Sequence, residues 1–124
     1  MAETEKHGLN YGEGDHMNFS NWRRIETVKV KEGITHQVFT GDNVMLCYNI
    51  IQPGIHADLH SHPHEQLLTI EQGECIVALG EEKIHMGAGD MLQVPPNVVH
   101  DLTVVGDVEV HNIDVFTPIR EDYL

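Results

Sequence analysis

The sequence has few basic residues: seven lysines and arginines stand against twenty aspartates and glutamates, for a formal net charge of −13 with histidine neutral. A surface of this charge repels phosphate backbones and anionic lipid headgroups, so neither nucleic-acid nor membrane partners are expected. Cysteine is scarce too, since Cys47 and Cys75 are the only two. Two cysteines exclude a framework of several disulfides. They leave one disulfide open, but we expect two buried free thiols in a reducing compartment.

Long apolar runs are missing as well. No stretch approaches the roughly 20 residues that cross a bilayer. The first residues, MAETEKHGLNYGEGDH, have no apolar core of the kind found in secretory signals. We therefore expect a cytoplasmic protein. Residues 1–16 are polar and contain three glycines, which predicts a flexible N-terminal arm before one domain at residues 17–124.

Helical periodicity is the third absence, because no window of 11 or more residues repeats apolar side chains at a spacing of three and four. Short β-prone runs are separated instead by glycine or proline turns. They predict strands at 27–30, 35–40, 44–51, 67–70, 75–79, 83–86, 91–94, 102–105 and 108–116. Many short strands at this spacing predict an all-β sandwich or barrel. A small barrel encloses a cavity wide enough for one ligand.

Histidine is abundant, with ten residues in 124. His60 and His62 lie two apart, so on a strand both imidazoles point to the same face and provide half of a metal site. Gln66 shares their parity, although Pro63 can bend the chain between them. A further imidazole must come from elsewhere in the sequence, and His100 follows a proline turn.

Two motifs in this region resemble those of the cupin superfamily. The first cupin motif is Gly, five residues, His-x-His, three or four residues, Glu, six residues, Gly. This chain has matching spacings at Gly54, His60, His62, Gln66 and Gly73. The second motif is Gly, five residues, Pro-x-Gly, two residues, His, three residues, Asn. The corresponding positions are Gly89, Pro95, Asn97, His100 and Val104.

The resemblance implies a double-stranded β-helix, or jelly-roll, barrel that holds one divalent metal ion. The implied ligands are His60, His62, Gln66 and His100. Imidazole and amide ligands suit zinc, nickel, iron or manganese, so the metal's identity stays open. An alternative role for Gln66 is to hydrogen-bond a ligand histidine without touching the metal.

Two departures from the motifs bear on structure and chemistry. Asn97 replaces a glycine, and both residues tolerate a left-handed turn. Gln66 replaces a glutamate, so the site is one unit more positive than three histidines with a carboxylate would be. That charge favours an anionic substrate and strengthens the metal as a Lewis acid. It also makes iron dioxygenase chemistry less favourable.

The C-terminal segment DVFTPIR is similar to the D-x-F-x-P-x-R tail of KdgF-like small cupins, which ketonise unsaturated uronates in pectin and alginate breakdown. In that family the Asp, Phe and Arg line the active site, and here they match Asp114, Phe116 and Arg120. The resemblance implies that Asp114 shuttles a proton, Arg120 binds the uronate carboxylate and Phe116 packs on the sugar ring. Parity places Asn112, Asp114 and Phe116 on one face of the last strand. Without the resemblance, a solvated face and a surface cation would be the simpler interpretations.

We therefore predict a metal-dependent enzyme that converts a 4,5-unsaturated monouronate, a small anionic sugar, to its linear 5-keto-4-deoxy form. It would need no cofactor beyond the metal and would form a homodimer. Two alternatives remain: another metal cupin enzyme, such as a dioxygenase or lyase, and a non-catalytic cupin that binds a sugar acid. We expect the following histidines to lie outside the chemistry: His7, His16, His36, His56, His64, His85 and His111. Met45, Met86 and Met91 are expected to fill the core.

Overall fold

The computed structural model describes residues 18–124, so the predicted arm at 1–16, with its two histidines, lies outside the described residues. The described part has two short 3-10 helices, Trp22–Arg24 and Glu121–Tyr123. Its strands are β1 Val28–Lys31, β2 Ile34–Thr40, β3 Met45–Ile51, β4 His56–His60, β5 Glu65–Gln72, β6 Glu74–Leu79, β7 Glu82–Met86, β8 Met91–Val94, β9 His100–Val105 and β10 Val110–Thr117. Over this range no helix reaches the length and hydropathy of a membrane span.

The ten strands form two antiparallel sheets. One sheet has six strands in the order β1-β2-β3-β10-β5-β8, and the other has four in the order β4-β9-β6-β7. Burial alternates residue by residue along β2 and β10, as expected when one face of a sheet covers a core and the other does not. The predicted all-β barrel is confirmed.

The space between the sheets is filled by two apolar clusters. The larger consists of Ile34, Ile51, Leu68, Ile70, Cys75, Val77, Met86, Leu102, Val104 and Val110. The smaller consists of Val38, Met45, Cys47 and Phe116, with Ile119 and Tyr123 packed against it. Members of both clusters line one cavity. The core therefore also forms much of that cavity's wall.

Most predicted strands agree with the structure to within two residues, and β8 matches its predicted range. The strand β5 is longer than predicted, because the polar residues at 65–66 and 71–72 continue the ladder. The strand β4 is not among the predicted ones. Its sequence, HADLH, has low β-propensity and is placed by pairing with β9 rather than by its own pattern.

The sulfur-containing residues are mostly where the sequence predicts. Met45 and Met86 are buried, and Cys47 and Cys75 are buried free thiols. The prediction for Met91 is wrong, because its side chain is 75% exposed on the outer face of β8.

One glycine gives a test of this packing. Gly73, at the turn from β5 to β6, has φ of +84°, and a Cβ there would lie 2.7 Å from the Glu109 carbonyl oxygen. Gly106 has a similar φ of +85°, but a Cβ there would meet nothing within 4 Å. We expect Gly106→Ala to lower the free energy of unfolding by about 1 kcal/mol, the cost of a left-handed alanine. Gly73→Ala should lower it by at least about 1 kcal/mol more, because of the added clash.

Denaturant unfolding of both variants, monitored by fluorescence of the single tryptophan, measures the difference. Equal losses for the two variants would show that the close backbone approach at Gly73 is not present.

Candidate metal centre

Three histidines converge at one place between the two sheets. His60 ends β4 and His100 begins β9, and the two residues are direct register partners. His62 lies in the connection between β4 and β5. The ring centroids of His60 and His100 are 4.3 Å apart, those of His62 and His100 are 4.9 Å apart, and those of His60 and His62 are 5.7 Å apart.

An irregularity in β4 places His60 in this group. Ala57 pairs with Leu102, so an uninterrupted ladder would put Leu59 opposite His100. The register shifts between Ala57 and His60, and His60 becomes the partner of His100 instead. A bulge of this kind re-aims a side chain. The expectation that His60 and His62 share one strand face is wrong, because β4 ends at His60.

The connection that carries His62 is held by a turn in the second motif. The Asn97 backbone N–H donates to the His62 carbonyl at 2.7 Å. Asn97 has φ of +65°, which confirms the left-handed turn predicted where cupins have glycine. This contact joins the two motifs across the sheets and sets the position of His62.

Backbone carbonyls fix the orientation of all three rings. The Nδ1 atom of His60 lies 2.8 Å from the Asp58 carbonyl, that of His62 lies 3.0 Å from the His64 carbonyl, and that of His100 lies 2.8 Å from the Val98 carbonyl. A carbonyl can only accept, so in each case Nδ1 carries the proton. In a neutral ring the lone pair is then on Nε2, the arrangement that metal-ligating histidines commonly have.

The nitrogens of the three rings are spaced and protonated so that they could bind a divalent ion. One nitrogen from each ring lies within 4.8 Å of the corresponding atoms of the other two. Burial lowers the pKa of His62 and of His100, with the charge of Arg120 lowering the first further, so both rings are neutral near pH 7. The Nε2 atom of His100 is buried and has no hydrogen-bond partner among the described residues. A metal ion would satisfy that atom.

The side chain of Gln66 is oriented toward the same point. Its Nε2 donates to Asp114 Oδ1 at 2.7 Å, which turns its Oε1 toward His62 Nε2 at 3.1 Å. Because His62 donates through Nδ1, its neutral Nε2 and the amide oxygen are both acceptors. Two acceptors at this distance need a cation between or beside them, either a proton or a metal ion. The geometry is compatible with Gln66 as a ligand. A hydrogen bond from His62 Nε2 to the amide oxygen would instead require a proton on that nitrogen, and His62 could then not bind a metal ion.

Asp114 is the centre of a buried polar network. Its carboxylate accepts from the side-chain amides of Gln66 at 2.7 Å, Asn112 at 2.8 Å and Asn49 at 2.9 Å. Burial raises the pKa of Asp114 to about 6, although the three amides and the charge of Arg120 oppose that rise. Asp114 is buried, as the family resemblance implies, and the cost of burying its carboxylate is offset by these donors.

Arg120 is buried and is already paired. Its Nε and Nη2 atoms donate to the two carboxylate oxygens of Asp122 at 3.3 and 2.7 Å, and its Nη1 donates to the Tyr123 hydroxyl at 2.9 Å. The guanidinium carbon lies 4.1 Å from the Tyr123 ring centroid and 5.1 Å from that of Phe116. The surface-cation alternative is therefore excluded. These contacts use one N–H each of Nε, Nη1 and Nη2, which leaves the second N–H of Nη1 and of Nη2 for a ligand.

Phe116 packs against the site residue His62. Its side chain is 1% exposed, and its ring meets that of His62 edge-on at 5.5 Å between centroids. Parity correctly predicts that Phe116 shares the inner face with Asp114. The role of stacking on a sugar ring stays a prediction, since the contacts seen are with His62, Arg120 and Tyr123.

One cavity of about 390 Å³ joins these groups, a volume in the usual range for a small-molecule site. It is lined by His60, Gln66, His100, Asp114, Phe116 and Arg120 from the predicted set. Lys31, His36, Asn49 and Tyr123 also line it and were not predicted as site residues. Asn49 lies directly opposite Asn112 in the β3–β10 ladder, which would identify it as a site residue. The sequence alone does not show this strand pairing.

Three of the other described histidines pair with acidic residues. His56 pairs with Asp101, His85 with Glu74 and His111 with Glu109. His36 is buried in β2 beside Cys47, and it also contributes to the cavity wall. His64 is half-buried with its ring 5.6 Å from that of His62, rather than an exposed turn residue.

Comparison with known proteins identifies the family. Residues 48–116, which are 69 of the 124, match the cupin domain family, and the chain therefore belongs to it. Cupins commonly bind a divalent metal, and the three histidines could hold one. The 3-hydroxyanthranilate 3,4-dioxygenase of Cupriavidus pinatubonensis is 29% identical over 96 residues, which are 74% of this chain and 50% of the enzyme. The chain thus spans about half the length of that curated relative.

Two solved structures are similar over most of their length. An RmlC-like cupin from Shewanella frigidimarina has a TM-score of 0.81 and 27% identity, covering 87% of this chain and 96% of that one. KdgF from Halomonas sp. has a TM-score of 0.76 and 25% identity, covering 82% of this chain and 94% of that one. The single-domain cupin fold is confirmed.

The geometry predicts how metal binding responds to mutation. We expect wild-type protein to bind one zinc or nickel ion, and His62→Ala and His100→Ala each to weaken that binding by roughly 100-fold or more, because each removes one imidazole donor. His85→Ala is the matched control, since this exposed histidine pairs with Glu74 on the outside of the barrel. Isothermal titration calorimetry of the metal-free proteins measures the affinities. Loss of binding in the control, or its retention in both cluster variants, would place the metal elsewhere.

Proposed function

We propose that this cupin is a metal-dependent enzyme that ketonises a 4,5-unsaturated monouronate to its linear 5-keto-4-deoxy form. Two features support the proposal. The tail residues Asp114, Phe116 and Arg120 surround the same cavity as the histidine cluster. The structural similarity to KdgF covers 82% of this chain and 94% of KdgF.

The observation that carries the proposal is the buried Asp114 beside the candidate metal ligands. In the proposed reaction, ring opening gives an aldehyde at carbon 1 and an enol at carbon 5. The enol O–H then loses a proton and carbon 4 gains one, with no net oxidation. A carboxyl group with a pKa near 6 can both accept and return a proton near neutral pH, as this isomerisation requires.

The remaining residues would bind and orient the sugar acid. A divalent ion on His60, His62, His100 and Gln66 would supply a Lewis acid that polarises a substrate oxygen. Arg120 would hold the uronate carboxylate through the second N–H of Nη1 and of Nη2, while Asp122 and Tyr123 fix the guanidinium in place. Asn49 and Asn112 keep Asp114 in position when its proton moves.

Turnover of freshly released 4,5-unsaturated galacturonate tests the proposal. Loss of its ultraviolet absorbance should be faster with metal-loaded protein than without, and a chelator should remove the acceleration. Asp114→Asn keeps the size of the side chain but removes the proton acceptor, so we expect kcat to fall by about 10²–10⁴-fold. Asp107→Asn, on the exposed turn between β9 and β10, is the control and should keep full activity.

Thermal unfolding separates a chemical effect of Asp114→Asn from misfolding, since in this variant one of the two oxygens that accept from the three amides is replaced by an NH2 donor. A folded Asp114→Asn protein with undiminished kcat would contradict the proton-shuttle role. A wild-type, metal-loaded protein that gives no acceleration would overturn the uronate assignment and leave the metal site to be explained.

A dioxygenase is the second candidate, favoured by the 29% identity to the 3-hydroxyanthranilate 3,4-dioxygenase. Against it, the neutral Gln66 replaces the glutamate of the cupin motif and removes a negative charge that would stabilise oxidised iron. Oxygen uptake by iron-loaded protein supplied with 3-hydroxyanthranilate decides between the two. Uptake coupled to substrate loss would favour the dioxygenase, whereas ligand affinity without turnover of either substrate would favour a binding protein.

A further inference from the structure

A second cation lies on the wall of the cavity. The described chain has six lysines and arginines, namely the seven of the sequence less Lys6, which lies outside the described residues. Two of the six, Arg120 and Lys31, line the cavity that holds the histidines. In a chain with a net charge of −13, an acidic substrate is repelled at long range, so a local cation at the cavity matters for its capture.

The two cations are held differently. Asp122 takes one edge of the Arg120 guanidinium, and Tyr123 accepts from its other side, so the charge of Arg120 is largely committed. Lys31 ends β1, at the edge of the six-stranded sheet, and its side chain is 39% exposed. Its ammonium group reaches the edge strand β4, where it donates to the His56 carbonyl at 3.1 Å and to Asp58 Oδ1 at 3.3 Å.

The partner of Lys31 can be exchanged. The Asp58 side chain is 83% exposed, and ion pairs this open to water contribute little to stability. A carboxylate that enters the cavity can therefore replace Asp58 on the ammonium group at small cost. An ammonium also has three N–H donors, of which the structure uses two within the described residues.

We propose that Lys31 binds the negatively charged group of an acidic substrate in the part of the cavity lined by β1 and β4, and that Lys31 releases Asp58 when it does so. This inference rests on the proposed function in so far as that function requires an acidic substrate. Lys31 lies outside both cupin motifs and the C-terminal tail, and it would be a second cation for the carboxylate that Arg120 is proposed to bind, since both side chains line the cavity. Asp58 then acts as a competitor that weakens binding of the substrate.

Steady-state kinetics with 4,5-unsaturated galacturonate test this role. Lys31→Gln should raise KM by about tenfold, the loss expected for one charge-assisted hydrogen bond, and change kcat by no more than about twofold. Lys29→Gln is the control, because Lys29 lies on the same strand and pairs with Glu32 but does not line the cavity. Lys31→Arg should restore most of the affinity. Equal KM values for Lys31→Gln, Lys29→Gln and wild type would overturn the inference.

Asp58→Asn gives a test of opposite sign. If Asp58 competes for Lys31, its removal should lower KM by about threefold, and the effect should disappear in the Lys31→Gln background. If Lys31 only joins the edges of the two sheets, Asp58→Asn should lower the unfolding temperature and leave KM unchanged. That result would contradict the proposal.

Binding of saturated galacturonate, measured by calorimetry on the metal-loaded protein, separates this inference from the proposed reaction. Affinity that depends on Lys31, found without any ketonisation, would support the inference and refute the reaction. Ketonisation with a KM that is independent of Lys31 would refute the inference and support the reaction. Failure of the wild type to bind galacturonate at all would refute the inference.

Discussion

The candidate site depends on one buried carboxylate and the three amides that surround it. Asp114 on β10 accepts from Asn49 on β3, Gln66 on β5 and Asn112 on its own strand, so three central strands of the large sheet are joined at one point. A buried carboxylate without these donors would be costly, and an amide without the carboxylate could turn either way. The network therefore fixes the direction of the Gln66 oxygen, which faces the imidazole of His62.

The histidines are organised by the backbone rather than by side chains. Each of the three rings donates through Nδ1 to a carbonyl two residues away in sequence, and this leaves Nε2 for a cation. The β4 irregularity, the pairing of His60 with His100 and the left-handed Asn97 bring the rings together from three separate segments. The large sheet orients Gln66 and the small sheet carries His60 and His100, so the site exists only where the two sheets face each other.

The sequence predicts the fold well because period-two burial and turn residues are local signals. Parity places Asn112, Asp114 and Phe116 on one face of the last strand, but only the family resemblance implies that this face is the inner one. The left-handed turn at Asn97 follows from the residues that tolerate it. The sequence does not predict β4, whose position comes from pairing with β9, nor the bulge that selects His60 over Leu59. The sequence also fails to predict Lys31 and Asn49 as site residues. These residues reach the cavity because their strands pair with others in the sheet, and no local sequence pattern predicts that pairing. Nor does the sequence predict the pairing of Arg120 with Asp122, which depends on the conformation of the C-terminal segment.

The most direct test of this account is anomalous diffraction from crystals of the metal-loaded protein. The account predicts one ion at about 2.0–2.2 Å from the Nε2 atoms of His60, His62 and His100, with the oxygen of Gln66 rather than its nitrogen facing the ion. The Gln66 nitrogen should remain on Asp114. An ion bound through Nδ1 atoms or outside this cluster, or a Gln66 amide turned away from Asp114, would contradict it.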